Sequence, residues 1–322
     1  MSRSWVLAAC AAWLVLADGA AAECVYAPDL APYQTATPAD FALGPTRSDR
    51  LGRVVAPISV NGQGPFRFIV DTGANRSVLS QDLADRLGLT PSGTAQVHSV
   101  HGVTTAPLVD AVSLHYGGLA LNASQLPTLG GAVLAGEQGL LGVDGMQGRR
   151  LRLDFERNCI EIVLSRDARP LHGWTMIRGE LRFGHLVVVR GYVGGVRVNM
   201  FLDSGSDSSL ANLALRDALN ARVRRNRGRL ESVISSTAGE PVVLDDAILI
   251  RSMRMGDLEV ENVTAYVGDF HIFSLWDLAG EPSLLLGMDV LSQVRGLAID
   301  YQRGRVYLQL RDPARSATRI RN

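Results

Sequence analysis

The feature that most constrains this chain is that it repeats itself. "FIVDTGANRSVL" (Phe68 to Leu79) and "MFLDSGSDSSLA" (Met200 to Ala211) each run an apolar segment into an Asp, a hydroxyl residue and a Gly, 132 residues apart. With Asp71 laid over Asp203, further landmarks fall into step. "PFRFIVD" matches "RVNMFLD", and the stretches Gln81 to Leu87 and Leu213 to Leu219 both read as helix, with Gly88 as a C-terminal cap on the first. "YGGLALNASQL" from Tyr116 matches "MGDLEVENVTAY" from Met255, and "LLGVD" (Leu140 to Asp144) matches "LLGMD" (Leu285 to Asp289). "LRLDFERNCIEIVL" from Leu151 matches "LAIDYQRGRVYLQL" from Leu297, each alternating apolar and polar around a polar turn as a hairpin does. Each half is a unit of about 130 to 150 residues, the size of a domain. Short strand-like runs between turn residues, with one clear helix per half, predict a mostly-β fold of two homologous lobes related by a pseudo-two-fold axis.

The apolar pattern breaks at Ser165 to Trp174, so the expected lobes are residues 51–168 and 169–311. Residues 23–50 read as an extended N-terminal segment and residues 312–322 as a basic tail. Residues 1–22 read as a signal peptide. Arg3 gives a positive start, Trp5 to Ala17 is apolar but too short to span a bilayer, and Ala20 to Ala22 offer a cleavage site before Glu23. The expected location is therefore periplasmic or secreted, with no membrane span once the signal is removed. Of three Cys, Cys10 leaves with the signal; Cys24 and Cys159 remain and form a disulfide candidate, the alternative being two buried thiols.

Charge is balanced at 32 basic and 32 acidic residues, so nothing draws the chain towards nucleic acid. Every basic residue is Arg, which excludes Schiff-base and phosphate-loop lysine chemistry. No dinucleotide or phosphate-cradling motif occurs, and no cofactor is expected. His98 and His101 do not read as a metal site with His115, because i and i+3 on a strand face opposite sides. "RVRRNRGR" (Arg222 to Arg229) reads as a solvated basic run, and Asn75, Asn122 and Asn262 stand in N-x-S/T triplets that matter only in a glycosylating host.

One carboxylate per equivalent half suggests a pair meeting at the axis. Two adjacent buried Asp cannot both ionise; they share a proton, leaving one base and one acid, which suits activating a water against a carbonyl. Gly73 and Gly205 would let the two loops approach, and Thr72 and Ser204 could bond the opposite loop's backbone. Asp207 is an extra carboxylate, expected to be a solvated turn residue or else to perturb the pair. Asp144 and Asp289 are expected to cap a short helix or turn.

"DTGA" and "DSGS", each behind an apolar strand and each followed later by "LLG", resemble the aspartic proteases of the pepsin and retropepsin clan, over roughly residues 50 to 310. Ala74 in the first loop is similar to the retroviral type and Ser206 in the second to the pepsin type. The resemblance implies a single-chain, two-lobed, retropepsin-like bacterial aspartic endopeptidase acting on peptide or protein substrates. It also implies a β-barrel-like acid-protease lobe in each half, Asp71 and Asp203 as the catalytic pair, Gly142 and Gly287 in the wide loops around them, and no need for a dimer, so a monomer. Pepsin-like enzymes carry a flap Tyr. The corresponding stretch here, Ala95 to Val109, has none and offers His98, Ser99, His101 and Gly102; the second lobe offers Thr237 and Gly239. The alternative reading is a non-catalytic peptide-binding or regulatory module on the same fold. A two-carboxylate glycosidase would leave the Asp-hydroxyl-Gly duplication without a reason.

Overall fold

The computed structural model describes residues 41–110, 112–121, 125–130, 134–222, 233–235, 242–244 and 246–311. The candidate signal peptide, Cys24, Asn122, Thr237, Gly239, residues 223–229 of the basic run and the tail from residue 312 lie outside them.

The first half contains β1 (Phe41–Pro45), β2 (Arg47–Ser48), β3 (Val54–Val60), β4 (Gln63–Val70), β5 (Val78–Ser80), α1 (Gln81–Arg86), β6 (Pro91–His98), β7 (Val103–Asp110), β8 (Leu114–Tyr116), β9 (Leu119–Leu121), β10 (Gln125–Leu129), β11 (Gly139–Leu141), β12 (Arg149–Asp154) and β13 (Cys159–Leu164). The second contains β14 (Thr175–Arg182), β15 (Leu186–Val193), β16 (Val196–Leu202), β17 (Ser209–Asn212), α2 (Leu213–Arg222), β18 (Val233–Ser235), β19 (Val242–Leu244), β20 (Ala247–Met255), β21 (Leu258–Gly268), α3 (His271–Leu275), β22 (Ser283–Leu286), α4 (Met288–Leu291), β23 (Gly296–Asp300) and β24 (Arg305–Gln309). The chain is mostly β and two-lobed, consistent with the acid-protease fold.

The same device sits at the heart of each lobe. β11 runs between the two strands that flank the first Asp loop, parallel to β4 (Leu141 beside Val70) and antiparallel to β5 (Leu140 beside Val78). β22 does the same between β16 (Leu286 beside Leu202) and β17 (Leu285 beside Leu210). These strands are covered on both faces, which is why they read as unbroken apolar runs rather than alternating ones. In the second lobe β15 also pairs with β20 and closes a six-stranded barrel; the first lobe stays open, a half-barrel. The closing hairpins β12–β13 and β23–β24 meet across the axis, with Leu151 opposite Ile299, and form one sheet beneath both lobes.

α1 begins at Ser80, whose Oγ accepts the Leu83 N–H at 3.1 Å. It ends at Gly88, at φ +65°, where the Gly88 N–H bonds Asp85 O and the Leu89 N–H bonds Ala84 O, the paired bonds of a Schellman turn. Part of the segment read as a lead-in is ordered strand: β1 lies antiparallel on β13, Phe41 opposite Val163. No helix among the described residues is long and apolar enough to cross a membrane.

Candidate active site

β4 and β16 each deliver an Asp to the axis from an apolar strand end. The Asp71 N–H bonds Leu141 O and the Asp203 N–H bonds Leu286 O, both at 2.9 Å, so the β11 and β22 strands hold the two loops from behind. The hydroxyls that follow cross over. Thr72 Oγ1 donates to Leu202 O at 2.7 Å and accepts the Ser204 N–H at 3.0 Å; Ser204 Oγ donates to Val70 O at 2.7 Å and accepts the Thr72 N–H at 3.2 Å. Thr72 and Ser204 are buried, and these four bonds satisfy them while locking the lobes together.

Each carboxylate also accepts the N–H two residues on, Gly73 to Asp71 Oδ1 and Gly205 to Asp203 Oδ1, both at 2.8 Å. The glycines are needed for approach. A Cβ on Gly73 would lie 2.5 Å from the Asp203 carboxyl carbon, and one on Gly205 closer still to that of Asp71. The two carboxyls face each other, each lying against the glycine of the opposite loop. Burial pushes Asp71 above the ordinary carboxylate range, offset by the hydrogen bond from Asp203, the Gly73 N–H and the Arg53 charge. Burial pushes Asp203 further, and the neighbouring Asp71 charge adds to it. Two carboxyls this close share one proton.

Gly142 and Gly287 stand equivalently. A Cβ on either would come within 2.6 Å of the backbone carbon of Arg76 or Ser208. Asp144 and Asp289 are not the caps expected of them: the caps are Gly142 and Gly287, without side-chain bonds. The two carboxylates instead clasp the far end of each Asp loop. Asp144 takes Ser77 Oγ at 2.7 Å and Ser77 N–H at 2.9 Å; Asp289 takes Ser209 Oγ at 2.8 Å. The same serines accept the Gly142 and Gly287 N–H groups at 3.1 Å. Asp207 is not a solvated turn residue either. It is half-buried, its Oδ1 is shielded, and its charge helps push up Asp289 and Tyr266. Ala74 and Ser206 hold matching places, their carbonyls accepting the N–H groups of Val143 and Met288.

Ser99 to Gly102 form the turn of the β6–β7 hairpin, with Ser99 Oγ accepting the Gly102 N–H at 3.2 Å. That turn reaches the second lobe. His98 Nδ1 and His271 Nε2 lie 2.9 Å apart with rings stacked, and His101 meets Phe270 edge-on at 5.9 Å. Behind the turn, Val97 packs in the cluster that also holds Ala74 of the Asp71 loop. β18 and β19 form the corresponding hairpin in the second lobe. His115 sits on β8, and among the described residues no three His, Cys, Asp or Glu side chains gather. Cys159 is buried at the start of β13.

Residues 56–144 and 189–290, more than half of the chain, match the aspartyl protease family. The chain belongs to the aspartyl protease family. Both matched regions contain an Asp loop and its LLG strand, so this aspartyl protease family member carries the family's features once in each lobe. No curated protein matches the sequence.

Sequence reasoning missed Arg53. It is among the largest fully buried side chains, ion-paired to Asp49 at 2.7 Å, with Nη1 3.5 Å from Gly205 O. The signal lay in the repeat: 132 residues on, "RLGR" (Arg50 to Arg53) returns as "RFGH" (Arg182 to His185).

Proposed function

We propose that the protein is an aspartic endopeptidase that hydrolyses peptide bonds with a water activated between Asp71 and Asp203. The observation that carries this reading is the meeting of two carboxyls at the axis, each accepting the N–H two residues on and each lying against the opposite loop's glycine. Asp71, ionised, takes a proton from the water as it attacks the scissile carbonyl carbon. Asp203, neutral, donates to the carbonyl oxygen, which gives a tetrahedral diol. Asp71 then gives its proton to the amide nitrogen while Asp203 takes one back from a diol hydroxyl; the carbonyl re-forms, the C–N bond breaks and the pair is restored. The β6–β7 hairpin serves as a flap over bound peptide, and Ser99 to Gly102 are its tip.

The test is cleavage of a diverse peptide library from about pH 3 to about pH 8 by wild type, Asp71→Asn and Asp203→Asn. Wild type is expected to cut with a bell-shaped profile, rising as Asp71 ionises and falling as Asp203 loses its proton. Each variant should lose about a hundredfold to ten-thousandfold in kcat/KM. A variant that cuts as well as wild type ends the reading, and a wild type that binds peptides yet cuts none replaces it with a binding module.

A further inference from the structure

The Asp pair is built symmetrically, but the charge beside it is not. Asp49 Oδ1 accepts the N–H groups of Leu51 and Arg53, both at 2.9 Å, and folds residues 49–53 into a tight turn. Its Oδ2 accepts the Arg53 Nε–H at 2.8 Å and stands 2.7 Å from Nη2 in the ion pair. The Asp49 side chain is fully buried and that of Arg53 is 2% exposed. This guanidinium points across the lobe boundary at Gly205 O. Gly205 is the residue whose backbone presses on the Asp71 carboxyl, so a buried cation stands beside Asp71.

The repeat supplies the control. Gly52 and Gly184 occupy matching places with left-handed φ of +81° and +79°, and β3 and β15 start one residue after Arg53 and His185. Leu181 stands where Asp49 does, so nothing in the second turn draws a cation inward. His185 is exposed, at φ +89°, and Gly184 lies against the Asn75 side chain of the Asp71 loop. Asp203 has no counterpart to Arg53.

We infer that Arg53 is a positioning residue that assigns the two carboxyls their roles, holding Asp71 as the ionised base and leaving Asp203 as the proton holder. This rests on the aspartic endopeptidase reading above. The charged and titratable groups facing Asp71 are Arg53 with its partner Asp49, Asp203, and Tyr301 of the β23–β24 turn, whose buried hydroxyl senses the Asp71 charge. Asp203 faces Asp71. The pair's directions agree with the geometry: Arg53 opposes the effect of burial on Asp71, while the Asp71 charge adds to it on Asp203.

Two readouts test this: the pH profile of kcat/KM on a cleaved peptide, and the titration of the Asp71 carboxyl carbon by NMR. In Arg53→Met, Asp71 should ionise at higher pH. Activity at the acid end of the bell should fall about tenfold relative to the plateau, and the NMR midpoint should rise. Arg53→Lys should restore most of the acid limb. Asp49→Asn leaves the Arg53 charge unbalanced and should move the acid limb the other way. A folded Arg53→Met with an unmoved acid limb and an unmoved Asp71 titration overturns the inference, as does an equal loss at every pH. Should Arg53→Met not fold, Asp49→Asn decides alone, and an unmoved limb overturns the inference. Should wild type cut no peptide, the endopeptidase reading fails, while the NMR titrations still decide whether Arg53 sets the charge on Asp71.

Discussion

The turn before β3 and the turn before β15 are two copies of one structure that now hold different residues. Both put Gly at the left-handed position, and both lean on the opposite lobe's Asp loop. In the first, Asp49 draws Arg53 inside as a buried ion pair; in the second, Leu181 and His185 stay at the surface. Burying that pair carries a desolvation cost that good geometry only partly offsets, so stability alone gives little reason to keep it. A charge beside one of two equivalent carboxyls gives a reason. Duplication set the geometry of the pair, and divergence at the flanking turns made its members unequal.

If the geometry is what the two lobes share, damage to it should be equal on both sides. The largest effect is expected at Gly142 and Gly287, because an added Cβ meets backbone, which cannot rotate away as a side chain can. Gly142→Ala and Gly287→Ala should each lose about 3 kcal/mol of stability by denaturant unfolding. A large loss in one and none in the other would break the equivalence of the two lobes.

The carboxyls should instead separate in their linkage to pH. Both are raised in the folded state, so the fold binds protons that the unfolded chain has released. Their contribution is fully present below the unfolded-chain value of about 3.9 and is lost as pH climbs through the folded values. Asp203→Asn removes the group raised further and should give a Tm advantage over wild type that widens from acid to neutral pH. Asp71→Asn should also help, by relieving Asp203 of a neighbouring charge, but less. Equal curves for the two variants would mean that the pair is not differentiated.

Much of this was legible because the repeat is local in sequence. An apolar run, Asp, hydroxyl and Gly fix a strand end and a loop whatever surrounds them, and LLG marks the strand laid between the loop's ends. The closing hairpins were legible from alternation, although their meeting across the axis is tertiary. What escaped depended on partners that no local pattern names. Asp144 and Asp289 look like helix caps until Ser77 and Ser209, more than sixty residues earlier, are seen to take their carboxylates. Phe41–Pro45, with its Gly and Pro, becomes a strand because β13 offers it an edge. Arg53 carries no local sign of its burial, since burial of a charge is decided by its partner and not by its own neighbours.

The smallest expected effect concerns the two hairpins. The first lobe's hairpin touches the second lobe through His98 and His271, 173 residues apart, and the contact is exposed. Two facing ring nitrogens at 2.9 Å need one donor and one acceptor, so the contact is a single hydrogen bond with ring stacking added. An exposed bond of that kind contributes about 1 kcal/mol. His271→Ala should therefore leave global stability almost unchanged and raise amide exchange within Val97 to Val103 about fivefold. If the β6–β7 hairpin is the proposed flap, the variant should raise KM by a similar factor with little change in kcat, because the hairpin is held less well against the second lobe while the carboxyls are untouched. An equal loss in kcat would place the pair in the chemistry itself, and faster exchange spread through β18 and β19 would show that the two hairpins open together.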